Sequence, residues 1–194
     1  AYTFTITDQN ATASDLLAFA QATTINVDAT AITTITESDA DDMPALIDAN
    51  SGISLANDVN FVITDGAYDT EAAAILATTT GTLDIQSLGL NTAGSYDLAN
   101  LSTDVTGLEE IDASEGNDVN ISLTAADLFA ANDSTGSLSF SVVGTANGND
   151  TLNLSGWTEV TENTQYTITG NFDGVDGDET YTVNVTGDVM VSIA

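Results

Sequence analysis

The chain contains no lysine, arginine, histidine or cysteine, and only one proline and one tryptophan in 194 residues. Each absence excludes something. Without Lys or Arg nothing can neutralise phosphate groups, so neither a nucleic-acid partner nor an anionic lipid surface is expected. Without His or Cys there is no thiol chemistry, no zinc site of the usual kind and no Ser-His-Asp triad. No apolar run approaches the roughly 18 residues that a membrane span needs, so membrane insertion is not expected. Neither a basic leader nor a secretory apolar segment precedes the first strand pattern. The start at Ala1 reads as a processed mature form or a segment of something longer.

Thirty Asp and Glu residues give a formal charge of −30. With no cationic side chain, each carboxylate must be hydrated, accept backbone N–H groups at turns and helix starts, or coordinate a cation. Mutual repulsion opposes compaction, and divalent ions or high salt relieve it. A cation-rich, extracellular setting follows as the expectation. Hydrophobic content of 42% is ordinary, so this is not a disordered acidic tail. Thr, Ala, Asp, Asn and Gly dominate, which suits repetitive β architecture.

Internal similarity is visible. In "TFTITDQNATASDLLAFAQATTINVD" (3–28) and "NFVITDGAYDTEAAAILATTTGTLD" (60–84), Phe4, Ile6, Thr7 and Asp8 fall on Phe61, Ile63, Thr64 and Asp65. Val27 and Asp28 then fall on Leu83 and Asp84. "TASDLLAFA" (12–20) is echoed by "TAADLFAAN" (124–132). The unit reads as strand, turn, short helix, strand. Thr12 with Asp15, Thr36 with Asp39 and Thr124 with Asp127 have capping-box spacing. From about residue 137 onward period-two alternation replaces helical pattern, and the last stretch reads as a meander closing in a hairpin at "TGD" (186–188). The predicted fold is mainly β with short helices: a β-solenoid-like repeat stack with a β-rich C-terminal portion. A soft boundary near 107 separates a β/short-helix repeat region (1–106) from a β-rich C-terminal region (107–194).

Candidate metal ligands lie in acidic turns. "GTANGNDTLNLSGWT" (144–158) holds half of a calcium-binding turn motif: Gly148 permits the backbone, Asp150 offers oxygen, and Leu152 points inward. An Asx-turn explains the same residues. "EGNDVNI" (115–121) is a weaker copy with Asp118, and Asp112 and Glu115 precede it. "DGVDGDE" (173–179) places Asp173, Asp176 and Asp178 in one Gly-relaxed loop, which also reads as a solvated hairpin loop. Oxygen-only ligands favour Ca²⁺ over transition metals. Paired acids also serve glycosidases, but among thirty acids pairing arises by chance, so no enzyme is expected. Trp157, Tyr166 and Tyr181 are the residues a sugar platform would use, although core packing explains Trp157 more simply.

Residues 105–194 resemble the C-terminal region of RTX-type bacterial surface proteins exported by type I secretion. The likeness rests on "GLEEID" (107–112), "LTAADL" (123–128), "DTLNLSGWT" (150–158) and "YTV" (181–183). The first hundred residues resemble Thr/Ala/Asp-rich repeats of surface-layer proteins and giant adhesins. The resemblance implies a secreted, calcium-stabilised structural or adhesive protein with an uncleaved C-terminal export signal. Full tandem nonapeptides are absent here, so that family's calcium count does not carry over. The expected function is an extracellular, self-associating subunit of a surface layer, sheath or filament at the cell surface. The alternative is a carbohydrate- or surface-binding adhesin module that recognises surface glycans.

Overall fold

The structure, a computed structural model, describes residues 2–38, 40–48, 51–100, 104–115, 118–132, 138–145, 149–170 and 178–193. The chain divides into two compact units, Ala1–Ile85 and Gln86–Ala194. The soft boundary read near residue 107 falls inside the second unit.

In the first unit, β1 (Phe4–Thr5), β2 (Asn10–Thr12), α1 (Ala13–Gln21), β3 (Val27–Ala29), β4 (Thr34–Glu37) and α2 (Met43–Ile47) follow one another. Next come β5 (Ile53–Leu55), β6 (Asn60–Ile63), β7 (Ala67–Tyr68), α3 (Asp69–Leu76) and β8 (Leu83–Ile85). Strands β1, β3 and β5 pair in parallel, and so do β2, β4, β6 and β8. The sequence echo has a structural meaning. Phe4 aligns with Val27 across β1 and β3, and Phe61 aligns with Leu83 across β6 and β8. Each copy is therefore a strand, a helix and a parallel neighbour, the βαβ connection that parallel pairing demands.

The second unit contains β9 (Ser87–Gly89), β10 (Gly94–Asp97), a 3₁₀ turn (Leu98–Asn100), β11 (Val105–Thr106), β12 (Glu110–Ala113), β13 (Val119–Leu123) and α4 (Ala125–Asn132). It continues with β14 (Leu138–Gly144), β15 (Asp150–Leu154), β16 (Thr158–Thr161), β17 (Gln165–Gly170), β18 (Glu179–Thr186) and β19 (Val189–Ile193). One sheet runs β10-β13-β15-β19, all parallel. The other contains β9-β12-β14-β18-β17-β16, parallel as far as β18 and antiparallel beyond it.

The fold is α/β with mostly parallel sheets, which corrects the expected mainly β, β-solenoid-like stack. The reason lies in the connections. Helices α1 and α2 each lie between the paired parallel strands β1 and β3 or β3 and β5. Helix α3 likewise lies between β6 and β8. Each helix buries apolar side chains: Ala13 and Leu16, Met43 and Leu46, Ala72 and Ile75, and Ala125, Leu128 and Ala131. The helices thus close the core over the sheets. No helix among the described residues is long and apolar enough to cross a membrane.

Caps follow the sequence at α1 and α4. The Thr12 hydroxyl accepts the Asp15 N–H at 3.1 Å, and the Asp127 carboxylate accepts the N–H and hydroxyl of Thr124 at 2.8 and 2.7 Å. Two other expectations are corrected. Thr36 lies inside β4, and α2 starts instead after Asp42 with Pro44 in its first turn, where the ring costs no hydrogen bond. Asp39 lies outside the described residues. The "TGD" stretch does not close a hairpin: β18 pairs with β14 and β17, whereas β19 pairs with β15 in the other sheet. Gly187, at φ +80°, turns the chain from one sheet to the other, and a Cβ there would strike the Gly144 carbonyl.

Phe61 is 1% exposed and aligned with Ile35 and Leu83, both buried. Phe61→Ala is expected to cost about 3–5 kcal/mol of stability, measured by denaturant unfolding, through lost burial plus a cavity the flanking strands cannot fill.

Candidate functional site

The aspartates that end the two Gly-Asn-Asp stretches, far apart in sequence, stand at the starts of neighbouring strands. Strands β13 and β15 are parallel neighbours, with Asn120 opposite Thr151 and Ile121 opposite Leu152. Asp118 and Val119 therefore lie beside Asn149 and Asp150 at the starts of adjacent strands. Asp150 is fully buried, the only buried polar or charged side chain among the described residues. Its Oδ1 accepts the Val119 N–H at 3.0 Å, and its Oδ2 accepts the N–H and the hydroxyl of Thr145, each at 2.9 Å. Three donors thus replace the water a buried carboxylate gives up. Space for this carboxylate comes from Gly144, where a Cβ would meet Asp150 Oδ2 at 3.2 Å and crowd the Val189 side chain.

Asp118 faces solvent. Its backbone has φ +60°, a left-handed conformation that Asp tolerates better than most residues, and its carboxylate accepts the Asn149 amide at 2.9 Å. Beyond the turns a row of neutral groups continues the contact. Asn120 Oδ1 accepts the Thr151 hydroxyl at 2.8 Å and the Asn153 amide at 2.7 Å. The structure thus joins Asp118 to Asp150 through neighbouring strands and gives them different work. Asp150 ties three segments together, while Asp118 keeps an exposed carboxylate.

The other sequence candidates are dispersed. Asp112, at the end of β12, accepts the Ser114 N–H at 2.8 Å in an Asx-type turn. Glu115 and Asp178 are exposed. Asp173 and Asp176 lie outside the described residues, as do Gly116 and Gly148 of the two turns. Among the described residues, no group of three or more acidic side chains is arranged to hold a metal ion. The sequence reading missed one acidic cleft. Asp97 at the end of β10 and Asp127 of α4 line a cavity of about 230 Å³ together with Ser122, Asn153 and Ser155. Asp97, Ser122 and Asn153 align across β10, β13 and β15, so strand pairing brought them together. No local motif signals that.

In the first unit, carboxylates are held by backbone and hydroxyl donors. Glu37 accepts the N–H of Ser14 at 2.9 Å and of Ser38 at 3.2 Å, joining the end of β4 to the positive end of α1. The Ser14 bond is the main cause of a Glu37 pKa below the ordinary value. The Thr30 hydroxyl and then its N–H, at 2.7 and 3.1 Å, lower that of Asp28. The proposed sugar platform is not on the surface. Trp157, Tyr166 and Tyr181 are 3%, 1% and 1% exposed, so their rings form core.

Asp150→Ala leaves the buried Val119 N–H without its acceptor and removes both Thr145 contacts. A loss of about 2–5 kcal/mol in denaturant unfolding is expected, against less than about 0.5 kcal/mol for Asp118→Ala. For Glu37, a lowered folded pKa means its contribution is present above the ordinary carboxylate range and lost as pH falls through the folded value. Glu37→Gln should therefore cost a little at about pH 7, under about 1 kcal/mol because the group is partly solvated, and nothing at about pH 2. Unfolding curves at the two pH values check this.

Comparison of the chain with family models, with curated proteins and with solved structures returned no match.

Proposed function

We propose that the chain is an extracellular structural protein, a self-assembling subunit of a bacterial surface layer, sheath or filament, stabilised by calcium at its acidic loops. The observation that carries this reading is where the exposed large apolar side chains fall. They are Tyr2, Phe4 and Phe19 near the first strands, Val160 on β16, and Met190 and Ile193 on β19. Strands β1, β16 and β19 are outermost in their sheets, so apolar surface coincides with unpaired backbone. Such edges are templates for pairing with another chain.

Charge supports the calcium part. Copies carrying −30 each repel, and close approach requires counterions. The exposed carboxylates of Asp118, Glu115 and Asp178, with the Asp97–Asp127 cleft, are where hard cations would gather. The resemblance to RTX-type surface proteins points the same way. The glycan-binding alternative is disfavoured by the burial of Trp157, Tyr166 and Tyr181, which removes the aromatic face it would use.

Sedimentation velocity and circular dichroism in EDTA, in millimolar Ca²⁺ and in monovalent salt of matched ionic strength test the proposal. Calcium is expected to raise both particle mass and unfolding midpoint beyond the salt control. A single site at one hundred times its Kd contributes about 2.7 kcal/mol. Mass and midpoint unchanged by calcium and salt would overturn the reading.

A further inference from the structure

The apolar rows that form the core are complete in the middle of the parallel ladders and run open at two edges. In the second unit, Ile121 and Leu152 are buried, while Val191, next in the row on β19, is only half-buried. One step along, Leu123 and Leu154 are buried and Ile193 is 44% exposed. The first unit repeats the pattern. Val27 is buried and its neighbour Phe4 on β1 is 48% exposed, stacked edge-on against Phe19 with ring centres 5.5 Å apart. Ile35 is buried and Ala11 beside it on β2 is half-buried. Among the described residues, no strand pairs beyond β19, β1 or β2.

These two edges also lack the guards that edges usually carry. Strand β19 reads VMVSI, β1 FT and β2 NAT, without an acid, in a chain where Asp and Glu number thirty. By contrast, the edge strand β16 carries Glu159 and a bulge against β17, and β10 carries Asp97. Charges and bulges are how sheet edges are kept from joining. Backbone is available too. Phe4 and Ile6 donate their N–H groups to the carbonyls of Asn26, just before β3, and Asp28, within it, so the alternation of the ladder directs the Thr5 N–H to the open side.

We infer that the β19 edge of one copy joins the β1–β2 edge of another copy of this chain. This inference rests on the self-assembly reading and names its joint. A second copy is the occupant because the chain carries both open apolar edges, whose strands hold no acid to repel an equally acidic partner; the nearest acids, Asp8 and Asp188, lie just beyond the strand ends. Unlike edges meet because that joint covers both rows at once, with Phe4 and Tyr2 over Val191 and Ile193. A β19-to-β19 contact would leave the aromatic edge in water. A joint between unlike surfaces is heterologous, and it propagates into a ring or an open polymer.

Two edge-blocked chains test it by mixing. Ile193→Glu charges the β19 edge, and Thr5→Pro removes the outward N–H of β1 without touching a ladder bond. Circular dichroism confirms folding, and Tyr2→Glu, at a side chain 89% exposed, replaces Thr5→Pro if proline unfolds the strand. In calcium buffer the unmodified chain should form large species and each variant alone should sediment as monomer. An equimolar mixture should form a species of twice the monomer mass and stop there, because one intact joint remains. If the β1 variant alone assembles while the β19 variant does not, β19 meets β19 and the inference falls. If both variants assemble like the unmodified chain, these edges are not the joint, although self-assembly stands. An unmodified chain that stays monomeric in calcium and in high salt sinks the self-assembly reading and this joint together.

Discussion

Every carboxylate in this protein has to be satisfied without a cationic side chain, and that constraint shapes the structure more than any apolar contact. The available donors are backbone N–H groups, hydroxyls, amides and water. The described acids use them in a consistent way: Glu71 and Asp127 at helix starts, Asp28 and Asp112 in turns, Glu37 across to the start of α1. Parallel strands joined by short helices suit such a chain. Each connection ends in a helix N-terminus or a strand-end turn, where free N–H groups collect. An acidic sequence thus finds its positive partners in the backbone itself.

The same constraint divides the effect of acid into two opposing parts. Protonation weakens the bonds that depress Glu37 and Asp28, and it also removes charge whose repulsion works against compactness. In an ordinary protein, ion pairs would dominate the first part. Here no ion pairs to a basic side chain exist to be broken, so the first part rests on bonds to backbone and hydroxyl donors while the repulsion is global.

Much of the local structure was legible from residues. The Phe4/Phe61 echo marked two strand–helix–strand units, and Thr12–Asp15 and Thr124–Asp127 marked two helix starts. What was hidden is non-local. Strands such as Ile53–Leu55 and Ser87–Gly89 are three residues long, too short for alternation to declare itself. The helices looked incidental until the pairing of β1 with β3 and of β6 with β8 made them crossovers. The turn at Gly187 was visible, but its local signal does not say whether the next strand folds back or changes sheets. Asp118 and Asp150 looked too far apart to cooperate, because only the β13–β15 register brings them together. Their different burial depends on Gly144 and Thr145, which lie outside the Gly148, Asp150 and Leu152 positions of the turn motif.

The carboxylate of Asp150 has a mechanical consequence. Among the described residues β15 is the one strand paired with β19, so a load applied at β19 peels that ladder residue by residue. Peeling then reaches a side chain tied at once to Val119, to Thr145 and, through its own strand, to β13. Several bonds must break together there instead of in sequence. That carboxylate is a stop in the unravelling path, placed one strand inward from the edge.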